Sequence, residues 1–97
     1  MNKMDLFNEV LENVCLNMEV DVDSVKSSNK EECVDARYLV IALLSTKLSD
    51  RQIVEVSGWS QQLVSKVKGN FDKRCKFRYG LKDLYKKLLI FASCEAQ

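Results

Sequence analysis

The seven residues YLVIALL, at positions 38–44, constrain the fold more than any other segment, because they are apolar nearly all round a helix. A helix of that kind must be covered by other elements on most of its sides. Asn29 can cap it, and Glu31 and Glu32 lie where the positive end of the helix dipole favours acids. The sequence therefore predicts a core helix over residues 30–46.

Helical periodicity recurs on the amino-terminal side of this segment, and the chain contains no proline. A first helix is expected to start at Asp5 as its N-cap. Its apolar stripe consists of Leu6, Val10, Leu11, Val14 and Cys15. A short helical turn is expected at residues 21–25 and a polar loop at residues 27–29.

Three more helices are expected after residue 48. Ser49 would cap the first of them, Gly58 would end it, and Ser60 would cap the second. The first has the apolar residues Ile53, Val54 and Val56, and the second has Leu63, Val64, Val67 and Phe71 on one face. The last, near residues 79–92, carries Leu81, Leu84, Leu88 and Phe91 inward and Lys82, Lys86 and Lys87 outward. The sequence thus predicts an all-α fold, a compact bundle of five or six helices in a single domain with its core at about residues 5–92.

Composition narrows the class of protein. The 97 residues are 46% apolar and 30% charged, as in one small globular domain. No apolar run approaches the ~18 residues of a membrane span, and the start, MNKMDLFNEV, has acids where a signal peptide needs an apolar core. A cytoplasmic protein without membrane contact is expected.

The cysteine and histidine counts bear on chemistry. The four cysteines are widely spaced and histidine is absent. Reduced thiols that act as small hydrophobes are expected, with no metal site and no cofactor. Without histidine, the commonest general base and every Ser-His or Cys-His pair are missing, so an enzyme is not expected.

Charge is divided unevenly along the chain, although its net value is only +1. Residues 1–25 carry one lysine against six acids, whereas residues 66–87 carry nine basic side chains against two acidic ones. This asymmetry favours a polyanionic partner for the carboxyl-terminal half, with a solvated charged face as the alternative.

Residues 50–71, DRQIVEVSGWSQQLVSKVKGNF, have the features of a helix-turn-helix. Gly58 can take the positive φ that a tight turn needs, and Trp59 would close the corner over the core. Val64 and Val67 would lock the second helix against the first. An ordinary helical hairpin with a polar outer face is the alternative.

The side of that second helix opposite its apolar residues is polar, and it includes Gly69, which would permit a close approach to a duplex. Glutamine can offer a donor and an acceptor together to an adenine edge, serine can serve either role, and lysine can reach guanine or phosphate. The residues expected to read bases are Gln61, Gln62, Ser65 and Lys66. Those expected to contact the DNA backbone from this half are Arg51, Ser60, Lys68 and Lys73, with Ser60 at a helix N-terminus that can receive a phosphate.

A longer stretch, VDARYLVIALLSTKLSDRQIVEVSGWSQQLVSKVKGNF, resembles the C-terminal DNA-binding domain of the bacterial replication initiator DnaA. The resemblance covers roughly residues 7–75 and rests on Arg37 before the apolar helix, then Ile53, Gly58 and Val64. It implies a Trp-repressor-like helical fold that binds double-stranded DNA, with a role in transcription regulation or replication initiation.

By the same resemblance, Lys26, Lys30 and Arg37 would contact phosphates or the adjacent minor groove. In the family, the glycine is followed by an arginine-aspartate-histidine-serine/threonine-threonine run that reads the initiator's own DNA box. Here residues 59–63 read WSQQL, and only Ser60 keeps a comparable role as a cap. The resemblance therefore implies the scaffold without the usual target sequence. No nucleotide-binding P-loop precedes it, so a complete initiator is not expected.

The rival interpretation is a protein-interaction module without DNA binding. The acidic first helix and the lysine-bearing last helix would bind a partner, and an exposed Trp59 would anchor it. Core or corner packing is the alternative role for Trp59. A homodimer through LLIFASC, residues 88–94, is also conceivable, although the same tail could simply close the core.

Overall fold

The computed structural model describes the backbone of residues 2–95 and the side chains of residues 2–90, and all regular structure in that part of the chain is α-helical. The helices, in chain order, are α1 (Lys3–Met18), α2 (Val22–Ser27), α3 (Glu31–Leu44), α4 (Asp50–Ser57), α5 (Gln61–Phe77) and α6 (Leu81–Glu95). The prediction of an all-α bundle is confirmed, with six helices.

Helix α3 is the centre of the bundle and packs against α1, α2, α5 and α6. Leu39, Val40, Ile41 and Leu44 have no exposed surface, as expected for a segment that is apolar on all sides. Its boundaries differ slightly from the prediction. The N-cap is Lys30, without a side-chain cap, so the expectation of an Asn29 cap is wrong.

Helix α1 begins earlier than its pattern suggested. The side chain of Asn2 accepts a hydrogen bond from the Asp5 backbone N–H at 2.8 Å, so Asn2 is the N-cap and Asp5 lies in the first turn. The error arises because both residue types cap helices and the apolar stripe alone does not choose between them. Phe7 belongs to the buried face in addition to the predicted stripe, of which Leu6 is only half-buried.

One hydrophobic cluster draws side chains from all six helices. The radius of gyration, 12.2 Å, agrees with the value of about 12.5 Å expected for a compact domain of this length. In α6, Leu81 and Leu88 are buried, Leu84 is half-buried, and the three lysines at 82, 86 and 87 are exposed. The predicted inward position of Phe91, and most of the proposed dimer segment 88–94, lie outside the described side chains.

Cys15 and Cys33 are buried free thiols, while Cys75 is half-buried and also free. Burial raises the pKa of the Cys15 thiol, and the negative charge of Asp21 raises it further. Among the described residues, no three potential metal ligands come together. No helix in the described part of the chain has the length and apolar character to cross a membrane.

Candidate nucleic-acid interface

Helix α4 starts and stops where local chemistry dictates. Ser49 and Gln52 form a reciprocal capping box, in which each side chain bonds to the other residue's backbone N–H at 3.3 and 2.9 Å. At the other end, Gly58 adopts φ 78°, and its N–H closes onto the Val54 carbonyl. The predicted left-handed glycine is confirmed.

Only Gly58, Trp59 and Ser60 connect α4 to α5. The Ser60 hydroxyl accepts a hydrogen bond from the Leu63 N–H at 3.1 Å and caps α5 as expected. Trp59 is 8% exposed and packs edge-on against Phe7, with ring centroids 6.0 Å apart. The core role of Trp59 is confirmed, and it is not an exposed anchor for a partner.

The inner face of α5 is apolar. Val64 and Val67 are fully buried, and Phe71 packs edge-on against Tyr85 of α6 at 4.9 Å between ring centroids. Helix α5 also contacts α3 and α4, and Ile53 of α4 belongs to the same cluster. This packing fixes which side of α5 faces solvent.

The four residues predicted to read bases, Gln61, Gln62, Ser65 and Lys66, are all exposed on α5. Gln61 Nε2 donates to the Ser65 hydroxyl at 3.1 Å. Gln62 and Lys66 have no side-chain partner within the part of the chain that the structure describes. Gly69 lies on the same side, and a Cβ there would meet nothing within 4 Å, so packing within the described residues does not require a glycine.

The predicted backbone contacts divide into two groups. The side chains of Lys26, Lys30 and Lys73 are exposed and have no partner among the described residues. The others already make intramolecular contacts. Arg51, whose side chain is 90% exposed, lies 3.7 Å from Glu55; Lys68 pairs with Asp50 at 2.6 Å; the Ser60 hydroxyl serves the cap.

Arg37 has a structural task in the free protein. Its Nε donates to the Val25 carbonyl at 2.9 Å, and its Nη2 donates to the Ser28 carbonyl at 2.7 Å. These bonds tie the end of α2 and the following loop to α3. Arg37 therefore holds in place the segment that carries Lys26 and Lys30.

The sequence did not predict a buried ion cluster, which lies between α3 and the end of α5. Asp35 is 3% exposed, and its two oxygens accept hydrogen bonds from Arg74 Nε and Arg78 Nε, each at 2.7 Å. The hydrogen bond to Asp35 raises the pKa of Arg78, and Glu31 lies 3.3 Å from the same guanidinium. The Arg74 guanidinium also lies over the Tyr38 ring, 5.1 Å from its centroid.

A signal for this cluster was present in the sequence. Arg74 continues the helical spacing of the buried residues Val67 and Phe71, so it falls on the inner side of α5 and requires an acid there. Arg78 has the same spacing in the sequence and lies just after the end of α5. Two of the nine basic groups counted in residues 66–87 are thus paired with the buried Asp35 carboxylate. The positive charge that α5 can offer to a partner is therefore better judged from the lysines on its outer side than from all nine basic groups.

The outer side of α5 therefore offers amide, hydroxyl and ammonium groups on one helix. The N-terminus of this helix is capped, and the turn before it is fixed. Helix α1, which carries three of the acids of the amino-terminal segment, packs against α2, α3, α4 and α6 and leaves this side of α5 exposed. Comparisons with protein-family models, with curated proteins and with solved structures find no match.

Proposed function

We propose that the chain is a DNA-binding protein, in which α4, the turn and α5 form a helix-turn-helix and α5 enters the major groove. The proposal is carried by one observation. Gln62, Lys66 and Lys73 follow one another along the exposed side of α5, and none has a side-chain partner among the described residues. A major groove about 12 Å wide admits a helix, and such a row of donors and acceptors is what base edges and phosphates bind.

In this arrangement Gln61, Gln62, Ser65 and Lys66 read bases. The Gln61–Ser65 hydrogen bond restrains both side chains in advance, which lowers the entropy lost on binding. Lys73, farther along α5, contacts a phosphate, while the free N–H groups next to Ser60 face another.

The remaining basic residues flank this helix. Lys26 and Lys30 reach the DNA backbone or the minor groove from the loop that Arg37 holds, and Arg37 itself stays with its two carbonyls. Lys68 exchanges Asp50 for a phosphate, which costs little because an exposed ion pair contributes at most about 1 kcal/mol. The scaffold is that of the DnaA C-terminal domain, with a different base-reading segment, and the role is in transcription regulation or replication initiation.

Binding of bulk duplex DNA at low and high salt tests the proposal. We expect a mobility shift at about 50 mM salt that is lost by about 200 mM, because phosphate contacts release counterions. Absence of binding at low salt would reject DNA and leave the protein-interaction module. Selection of bound duplexes from a random pool then supplies the target site.

Gln62→Ala tests base reading. We expect a loss of about 1–3 kcal/mol on the selected site, because a bidentate contact to one base pair is removed. On a duplex in which that base pair has already been replaced, Gln62→Ala should change the binding free energy very little. Competition binding with the selected site and its single-base variants measures both values.

Asn8→Ala, which also removes an exposed amide but lies on α1, is the matched control and should leave binding unchanged. If Gln62→Ala instead weakens binding equally on the selected site and on all its single-base variants, the Gln62 side chain positions the protein without reading sequence.

A further inference from the structure

The end of α5 and the turn after it expose two aromatic rings. Phe77 is 86% exposed and Tyr79 is fully exposed, whereas the other five described aromatic side chains are buried or half-buried. A phenylalanine left in water forgoes the stabilisation that burial of its ring would contribute. Two such rings separated by one residue form a candidate contact surface, which we call the aromatic site.

The neighbours of this site are basic. Residues 73–82 contain five basic side chains and no acid; Arg74 and Arg78 are paired with Asp35 and Glu31, which leaves three lysines. Lys73 and Lys76 are exposed without a partner among the described residues, and Lys82 makes only a 3.4 Å contact with the exposed Asp72. An apolar protein partner would gain nothing from this positive charge, whereas a polyanion would be attracted by it.

Arg78 anchors the chain between the two rings. Its backbone is extended, at φ −109° and ψ 103°, and its side chain bonds to Asp35 and Glu31. Phe77, the last residue of α5, and Tyr79, in the turn that follows, flank this anchored arginine, and both rings face solvent. The rings are therefore presented by an ordered segment, which lowers the entropy cost of stacking.

The site is separate from the base-reading half of α5. Phe77 follows Gln62 by fifteen residues, or about 22 Å along a helix, so the two side chains lie at opposite ends of α5. In a duplex the bases are stacked on one another and offer no free face to a ring. Unpaired bases do, and every base can stack on an aromatic side chain.

From this geometry we infer that Phe77 and Tyr79, together with Lys73 and Lys76, form a binding site for single-stranded nucleic acid. The rings stack on unpaired bases and the lysines neutralise the adjoining phosphates. This function goes beyond the proposed reading of duplex DNA. It shares Lys73 with that reading but depends on Phe77 and Tyr79, which have no part in it.

The test compares a strand that has bases with a strand that lacks them. Fluorescence anisotropy at about 50 mM salt follows labelled oligothymidine of about twelve nucleotides, an abasic strand of the same length, and oligouridine. We expect thymidine to bind more tightly than the abasic strand. Equal affinity of the thymidine and abasic strands would overturn the proposal, because charge alone would then account for binding. The oligouridine arm shows whether the site also accepts RNA.

Phe77→Ala and Tyr79→Ala should each weaken oligothymidine binding by about fivefold to a hundredfold, with little effect on the abasic strand. Phe77→Trp should retain binding, since it keeps a stacking ring. Leu16→Ala, at another exposed apolar residue, is the matched control and should change nothing. Far-UV circular dichroism verifies that every variant is folded.

Alanine variants that bind oligothymidine as the wild type does would reject the site. So would a wild-type dimer in sedimentation velocity that Phe77→Ala converts to a monomer, because the rings would then be covered by a second copy of the chain. Failure of this test leaves duplex reading untouched, since the Gln62→Ala measurement examines a different part of α5.

Discussion

Arg74→Met is expected to destabilise the protein by about 2–4 kcal/mol, because it leaves one oxygen of a buried carboxylate without its charged donor. Asp35 is 3% exposed, so water cannot replace the lost guanidinium. Methionine preserves most of the apolar stem of the side chain and limits the change to the charge. Urea unfolding followed by far-UV circular dichroism and by Trp59 fluorescence measures the loss.

A second substitution distinguishes charge from packing. In the double variant Asp35→Leu and Arg74→Met, stability should recover toward the wild type, because replacing a buried ion pair by apolar residues of similar size is close to neutral. Lys82→Met, which breaks the exposed pair with Asp72, should cost less than about 1 kcal/mol. If Arg74→Met costs no more than this control, Arg78 alone satisfies Asp35.

The consequences of this cluster extend to function. Asp35 joins the central helix α3 to the second half of α5, and through Arg78 to the turn that bears the aromatic site. The amino-terminal half of α5, which we propose reads bases, is instead held by Val64 and Val67 and by the turn at Gly58. A change at Asp35 should therefore affect the aromatic site before it affects duplex reading.

The structural features that depend only on neighbouring residues could be predicted from the sequence. The central helix follows from seven consecutive apolar residues, and the turn before α5 follows from Gly58 and Ser60, whose backbone roles need no distant partner. The exposed side of α5 follows from its helical period. The start of α1 was misplaced because Asn2 and Asp5 are both good caps, and only the observed hydrogen bond selects Asn2.

Features set by distant residues could not be read in the same way. Asp35 and its arginines are 39 and 43 positions apart, and the pairing of Lys68 with Asp50 depends on how α4 packs against α5. No local pattern reports such distances. Phe77 and Tyr79 were missed for another reason: apolar residues near a helix end are usually buried, and their exposure emerges only from the packed structure.

Reversing the charge of Lys66 and Lys73 together should weaken binding to every duplex by about a hundredfold or more at about 0.1 M salt. Each phosphate contact steepens the salt dependence by about 0.9, so losing the contact made by Lys73 should flatten the slope by about one. Both lysines are exposed and unpaired among the described residues, so Lys66→Glu and Lys73→Glu break no observed salt bridge. Anisotropy titrations at several salt concentrations give the affinity and the slope.

Lys86→Glu with Lys87→Glu is the matched control, because it changes the net charge equally at two exposed lysines on α6. Away from a docked duplex, charges are screened over about 10 Å at this ionic strength, so the control pair should weaken binding less than about tenfold. If the two double variants lose the same duplex affinity, DNA binding depends on the overall charge of the molecule and the duplex is not bound at α5. A large loss confined to Lys66 and Lys73 would locate the duplex on the side of α5 that carries Gln62, because the three residues share one row of a single rigid helix.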